Sequence, residues 1–178
     1  MNTIRILKLL LTITLIISCG NDDDQPTNPI DQLPAATQTG ANTFGCLLDG
    51  KAFLPRGGTN PLDCVYQFVN GGYYFALQGN KRDSNNNLLA ITCSTDDLEI
   101  MEGQTYNLLE SSQGNASGGF FNNLNLNYTS QTHTGELTIT KLDQTNQIVS
   151  GTFWFDVIDS NGTVHQIREG RFDMQYTQ

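Results

Sequence analysis

Phe120-Phe121-Asn122-Asn123-Leu124-Asn125-Leu126-Asn127-Tyr128 carries the most regular pattern in the chain, with Leu124, Leu126 and Tyr128 alternating against Asn123, Asn125 and Asn127. A period of two belongs to a strand, whose successive side chains point to opposite faces, and here it predicts one apolar and one wet face. The same grammar runs on toward the C-terminus. Gly135 to Lys141 reads as a strand, Asp143 to Asn146 as a turn, and Ile148 to Ile158 as a strand. In the latter Phe153, Phe155 and Val157 share one face, while Trp154, Asp156 and Ile158 share the other. After the Asp159-Ser160-Asn161-Gly162 turn, Thr163 to Tyr176 returns with Phe172, Met174 and Tyr176 inward and Arg171, Asp173 and Gln175 outward. Gly170 falls where a bulge would bend that strand.

Toward the N-terminus, Asp49-Gly50 between apolar flanks is a two-residue hairpin signal, and Asn70-Gly71-Gly72 joins Cys64–Phe68 to Tyr73–Leu77. Leu88 to Cys93 forms a further strand, and Asp96 to Glu102 is the one place where a single helical turn is expected. Consecutive strands with short turns, and no helix long enough for a parallel crossover, give an all-β domain over residues 43–178. It reads as a single antiparallel meander of roughly nine strands forming a β-sandwich or a flattened barrel.

Ahead of this domain, residues 1–18 form a signal peptide: Arg5 and Lys8 precede the apolar run Leu9 to Ile17 and small Ser18. The apolar run is too short to span a bilayer, which takes about 20 residues as a helix. Ser18-Cys19 at its end resembles a bacterial lipobox, with Ile16 where Leu is commonest. The resemblance implies that Cys19 is acylated, with palmitate-type chains anchoring the protein in the outer membrane. Asp22, Asp23 and Asp24 resemble the acidic export signal of Bacteroidota surface lipoproteins, which implies a cell-exterior location. Residues 19–42, with Pro26, Pro29 and Pro34 and no sustained apolar period, read as a disordered acidic tether.

Three stretches resemble a family of uncharacterised Bacteroidota lipoproteins carrying a domain of unknown function. They are Gly40 to Phe53 near the domain's start and, near its end, Ser150 to Asp156 with Ile167 to Asp173. The resemblance implies a lipid-anchored β domain and carries over no functional residues.

The whole chain has a formal charge of −9. Loss of Arg5 and Lys8 with the signal leaves seven Lys and Arg against 18 Asp and Glu, a net of −11. That balance argues against nucleic acid as a partner, which needs a basic footprint. Cys46, Cys64 and Cys93 all fall on apolar strand faces and are candidates for one internal disulfide or for buried free thiols. Their spacing contains no Cys-x-x-Cys, and no metal site is expected. His133 and His165 lie in polar strand or turn contexts and read as surface histidines. Asp159 to Gly162 offers oxygen ligands for calcium, but an Asx turn explains the same letters.

Trp154, on the face opposite Phe153 and Phe155, is the candidate ligand-binding residue, because exposed aromatic rings on a flat β face are stacking platforms; the alternative is a buried ring, if both faces of this strand are covered as in a closed barrel. The functional expectation is a non-enzymatic, surface-anchored lipoprotein without a cofactor, binding a glycan or an envelope protein. The alternative is a small β-barrel carrier of an apolar ligand, although Phe, Tyr, Leu and Met on the inward face fill the space a carrier would need. A hydrolase is a third reading and rests on the abundance of carboxylates alone.

The anchor is directly testable. Cys19→Ala should release the protein from membranes or leave its precursor unprocessed, and Asp22, Asp23 and Asp24 changed together to Ala should keep the anchor but abolish cleavage by external protease on intact cells. Membrane fractionation and protease shaving check both, and an unaltered pattern in either would remove the corresponding assignment.

Overall fold

Paired residues in the left-handed region make the tight turns that sequence predicts. Asp49 (φ 51°) and Gly50 (φ 75°) join β1 (Thr43–Leu48) to β2 (Lys51–Phe53), and Asn70 (φ 52°) and Gly71 (φ 90°) join β3 (Leu62–Val69) to β4 (Gly72–Arg82). Positive φ at both central residues matches the right-handed twist of the flanking strands, and Asp, Asn and Gly tolerate it best. There follow β5 (Leu88–Thr95), β6 (Thr105–Leu108), β7 (Ala116–Asn122), β8 (Asn125–Tyr128), β9 (Gly135–Asp143), β10 (Ile148–Ile158) and β11 (Val164–Gln175). The structure is a computed structural model and describes residues 28–58 and 60–178. Cys19 and the acidic run Asp22, Asp23 and Asp24 lie outside the described residues.

The domain is all-β, as expected, with eleven strands in one large sheet ordered β2-β1-β11-β10-β9-β6-β7-β5-β4-β3, and β8 paired to β7 off this path. The connectivity departs from a simple meander in two places. The first long strand pairs with the last, β1 against β11, and β6 lies between β9 and β7, meeting β7 through a single parallel bridge, Leu108↔Ala116. Turn signals identify strands joined by short loops; these pairings are between strands distant in sequence.

Asp96 to Glu102 forms a bend and an irregular loop rather than the expected helical turn. Its backbone groups are engaged elsewhere: the Asp96 amide donates to the Asn115 carbonyl at 3.1 Å, the Leu98 amide to the Tyr73 carbonyl at 3.0 Å, and Ile100 is buried. Among the described residues the one helical turn is 3-10, over Pro29–Gln32, with the Asn28 side chain accepting from the Ile30 amide.

The sheet doubles over an aromatic core. Phe75 of β4 meets Phe172 of β11 (ring centroids 6.3 Å), and Phe153 of β10 lies 5.3 Å from Phe44 of β1 and 6.4 Å from Phe172. Gly118 of β7 sits against the Phe155 ring, where a Cβ would come within 2.7 Å. The expected inward set Phe153, Phe155, Val157, Phe172, Met174 and Tyr176 is buried throughout. Strand-to-strand pairing does not close the sheet into a barrel, but residues after β11 dock on β3: the Tyr66 amide donates to the Thr177 carbonyl at 2.9 Å and the Thr177 amide to the Cys64 carbonyl at 3.0 Å.

The Phe120–Tyr128 alternation has a different origin from the one its pattern suggests. It spans the β7–β8 hairpin, with Asn123 at φ 58° in the turn and Leu124, 82 % exposed, at its tip. Leu126 and Tyr128 lie over Gly119 on the outside of the sheet and remain substantially exposed. The alternation is therefore that of a short outer strand, and its apolar face is not core.

The greatest departure is at the N-terminus. Residues 28–42, expected as part of a disordered tether, form a strap across the outer face of β1, β11, β10 and β9. Pro34 crosses β1 at Gly45, where a Cβ would lie 2.6 Å from Pro34 Cδ. Gln38 Nε2 donates to the Thr140 carbonyl of β9 at 3.2 Å, and the Gln175 amide of β11 donates to Asn42 Oδ1 at 2.9 Å. At the centre is Asp173, expected outward on a solvated face: it does point outward, but the strap buries it completely. Its carboxylate accepts from Thr37 Oγ1 (2.6 Å), the amides of Thr39 (2.9 Å), Gly40 (2.7 Å) and Ala41 (3.2 Å), and Ser150 Oγ (2.7 Å). Burial alone raises the pKa of this carboxyl, but the Thr37, Thr39, Ser150 and Gly40 donors outweigh it and hold Asp173 well below the usual carboxylate range.

Asp173→Asn keeps the side-chain volume but turns an NH₂ group toward donors, and should cost on the order of 3 kcal/mol. Because the folded pKa is depressed, the wild-type contribution is complete above about pH 4, where an unfolded Asp is ionised, and is lost as pH falls toward the native value. Chemical denaturation between pH 7 and pH 2 should show a shallower acid slope for the variant. Equal stability and slope would mean the strap is held by other contacts.

Candidate functional site

The Trp154 face is built from three adjacent strands and the strap. Phe153 and Phe155 turn inward on β10, so Trp154 between them must turn outward, and it is 38 % exposed. Opposite it on β9 stands Glu136, whose Oε2 accepts from Trp154 Nε1 at 3.2 Å. On the other side, β11 carries a bulge: Phe153 pairs with Gly170 but Phe155 with Ile167, leaving Arg168 and Glu169 opposite the single residue Trp154. Glu169 adopts φ 54° to make that turn. Gly170 admits the close approach of β10, since a Cβ there would lie 2.5 Å from the Phe153 ring and carbonyl. The glycine signal for a bulge in this strand holds.

The bulge brings Arg168 over Trp154, its guanidinium carbon 5.4 Å from the ring centroid. The guanidinium is fixed by Asp156 Oδ1 at 2.7 Å and by the carbonyls of Phe155 (3.0 Å) and Ile167 (2.8 Å). Arg171 pairs with Glu169 at 3.3 Å. Together with Ala36 of the strap, Thr138 and Thr152, these side chains line an open groove of about 510 Å³. An aromatic plate held edge-on by a carboxylate and covered by a fixed cation is pre-organised, and the surrounding hydroxyls, carboxylates and guanidinium groups offer hydrogen bonds of both senses. Trp154 was visible as an outward aromatic. Arg168, Glu136 and Glu169 were not singled out from sequence, because their convergence depends on the bulge and on β9–β10 register.

The other sequence candidates lie elsewhere. Cys46, Cys64 and Cys93 are free, buried thiols on the core side, and burial raises all three well above the ordinary thiol value. They act as small apolar side chains rather than as a disulfide. His133 sits in the β8–β9 turn. His165, expected at the surface, is largely enclosed: its side chain is 15 % exposed, with Nδ1 2.8 Å from Asp49 Oδ2, Nε2 3.6 Å from Asp159 Oδ2 and the Phe120 ring 4.9 Å away. The hairpin turns at Asp49 and Asp159 converge there, a long-range contact that no local pattern announces. Asp159 Oδ1 accepts from the Asn161 and Thr163 amides at 2.9 and 2.8 Å, an Asx-type turn, and the Thr163 amide chiefly holds this carboxyl low. Among the described residues no three His, Cys, Asp or Glu side chains converge to hold a metal ion.

Gly170→Ala should destabilise the domain by about 1–3 kcal/mol through overpacking against Phe153 and should displace Arg168 from Trp154. Thermal unfolding and the emission of Trp154, the chain's single tryptophan, check this. A variant with native stability and emission would show that the bulge tolerates a side chain.

No curated protein and no solved structure matches the chain. A family model, described as Domain of unknown function (DUF6252), matches residues 68–174, from the end of β3 to near the end of β11. The chain belongs to this family.

Proposed function

We propose that this DUF6252 protein is a non-enzymatic binding module that takes a glycan in the Trp154 groove, carried on an outer-membrane lipoprotein anchored through Cys19 and facing the cell exterior. The observation that carries the reading is Trp154 itself, an outward ring clamped between Glu136 and Arg168 over an open groove. A saccharide ring presents C–H groups to an aromatic face and hydroxyls to its rim, which suits a flat plate ringed by Thr138, Thr152, Glu136 and Glu169. The interior supports binding outside the sheet rather than carriage within it, because Phe44, Phe75, Phe153, Phe155 and Phe172 fill the space between its two halves.

A second reading, an envelope protein partner, draws on β8. Among the described residues this short strand pairs with β7 alone, and it exposes Leu126 and Tyr128 beside Leu124 of the turn that precedes it, so it offers both an open hydrogen-bonding edge and apolar side chains.

Because Trp154 is the only tryptophan, its fluorescence reports on the groove directly. Titration of the full-length chain with a panel of neutral oligosaccharides should give a saturable change in emission and a raised thermal midpoint for one glycan class. Trp154→Ala should abolish the midpoint shift while the unliganded protein keeps its fold. No saturable change with any glycan would discard the groove reading, and crosslinking through β8 on intact cells would then test the protein partner.

A further inference from the structure

A second cavity, of about 570 Å³, opens between the β1–β2 hairpin and the end of β4, and shares no lining residue with the Trp154 groove. Four of the seven Lys and Arg that follow Cys19 line it: Lys51, Arg56, Lys81 and Arg82. The other three, Lys141, Arg168 and Arg171, each pair with a carboxylate. Among the described residues none of the four cavity cations forms an ion pair, in a chain where Asp and Glu outnumber Lys and Arg by two to one.

The two carboxylates that also line the cavity are engaged elsewhere. Asp49 accepts from the Gln166 amide at 2.8 Å and meets His165. Asp83 accepts from the Asn85 and Asn87 amides, both at 2.8 Å, which, Asn87 foremost, hold its carboxyl low. The Lys81 ammonium is fixed by the Ala52 carbonyl at 3.3 Å and by the Phe53 ring at 4.6 Å. Its pKa is lowered, first by burial and then by the charge of Arg56. Like charges gathered around one concavity with no carboxylate paired to them among the described residues repel one another, and an anion relieves that repulsion.

We propose that this cavity binds a tetrahedral oxyanion, a phosphate or sulfate ester group on a compact ligand. Guanidinium forks and ammonium groups around one concavity give such an oxyanion several charge-assisted hydrogen bonds. The ligand is compact because the rest of the surface is acidic and repels an extended polyanion. The site goes beyond the glycan reading of the Trp154 groove and does not depend on it.

The test is calorimetric titration of the full-length chain in detergent, at low ionic strength, with inorganic phosphate, glucose 6-phosphate, glucose 6-sulfate and glucose. At least one charged probe should bind saturably and glucose should not, and the two esters identify which oxyanion is preferred. Raising the salt to about 0.5 M should weaken binding, since screening shortens the reach of these charges. The double variant Lys51→Gln, Arg56→Gln alters two exposed side chains that make no side-chain hydrogen bond among the described residues. It should keep its thermal midpoint and weaken binding by roughly tenfold or more. Absence of binding by every charged probe, equal binding of glucose, or an affinity indifferent to both salt and the variant would overturn the site.

Discussion

The carboxylate of Asp173 joins parts of the chain that sequence keeps far apart. It stands on the outer side of β11, takes hydrogen bonds from the strap at Thr37, Thr39, Gly40 and Ala41, and reaches across to Ser150 of β10. An ionised carboxylate can be buried only where donors replace its water, and here backbone amides and hydroxyls of the strap supply them. The dependence is mutual: without the strap the charge would be solvated, and without the charge the strap's amides would lose their acceptor. Ala36, within the same strap, closes one side of the Trp154 groove, so the interaction that holds the strap also shapes the candidate site.

A second constraint operates at the β11 bulge. A regular ladder would place Arg168 and Glu169 on opposite faces of the sheet. Two residues opposite one, with Glu169 in the left-handed region and Gly170 against Phe153, allow both to line the groove. The bulge therefore converts a flat wet face into a concave one with an aromatic floor. The free cysteines illustrate the opposite case, in which residues with reactive chemistry are sealed in the core and burial suppresses their thiolates.

Charge is sorted in a way that the net value conceals. Three carboxylates, Asp83, Asp143 and Asp159, are consumed in local turns, where they cap backbone amides. Three cations fix the Trp154 region or the neighbouring strands, while the other four gather at one cavity with no carboxylate partner among the described residues. A strongly acidic chain thus presents a local concentration of positive charge, a property of the tertiary arrangement rather than of composition.

Sequence by itself determined the all-β class, the Asp49-Gly50 and Asn70-Gly71 hairpins, the inward set around Phe153, Phe155 and Phe172, the outward Trp154 and the bulge at Gly170. Each is encoded locally, by a period of two or by residues suited to left-handed backbone. The Phe120–Tyr128 alternation shows the limit of that information, since a period of two identifies a strand but not whether its apolar side meets a core. Tertiary structure alone decided the pairing of β1 with β11, the enclosure of His165 between Asp49 and Asp159, the convergence of Arg168 and Glu136 on Trp154, and the burial of Asp173 beneath the strap. These join residues distant in sequence, and their stability comes from hydrogen bonds and packing that exist only once the sheet has folded over its core.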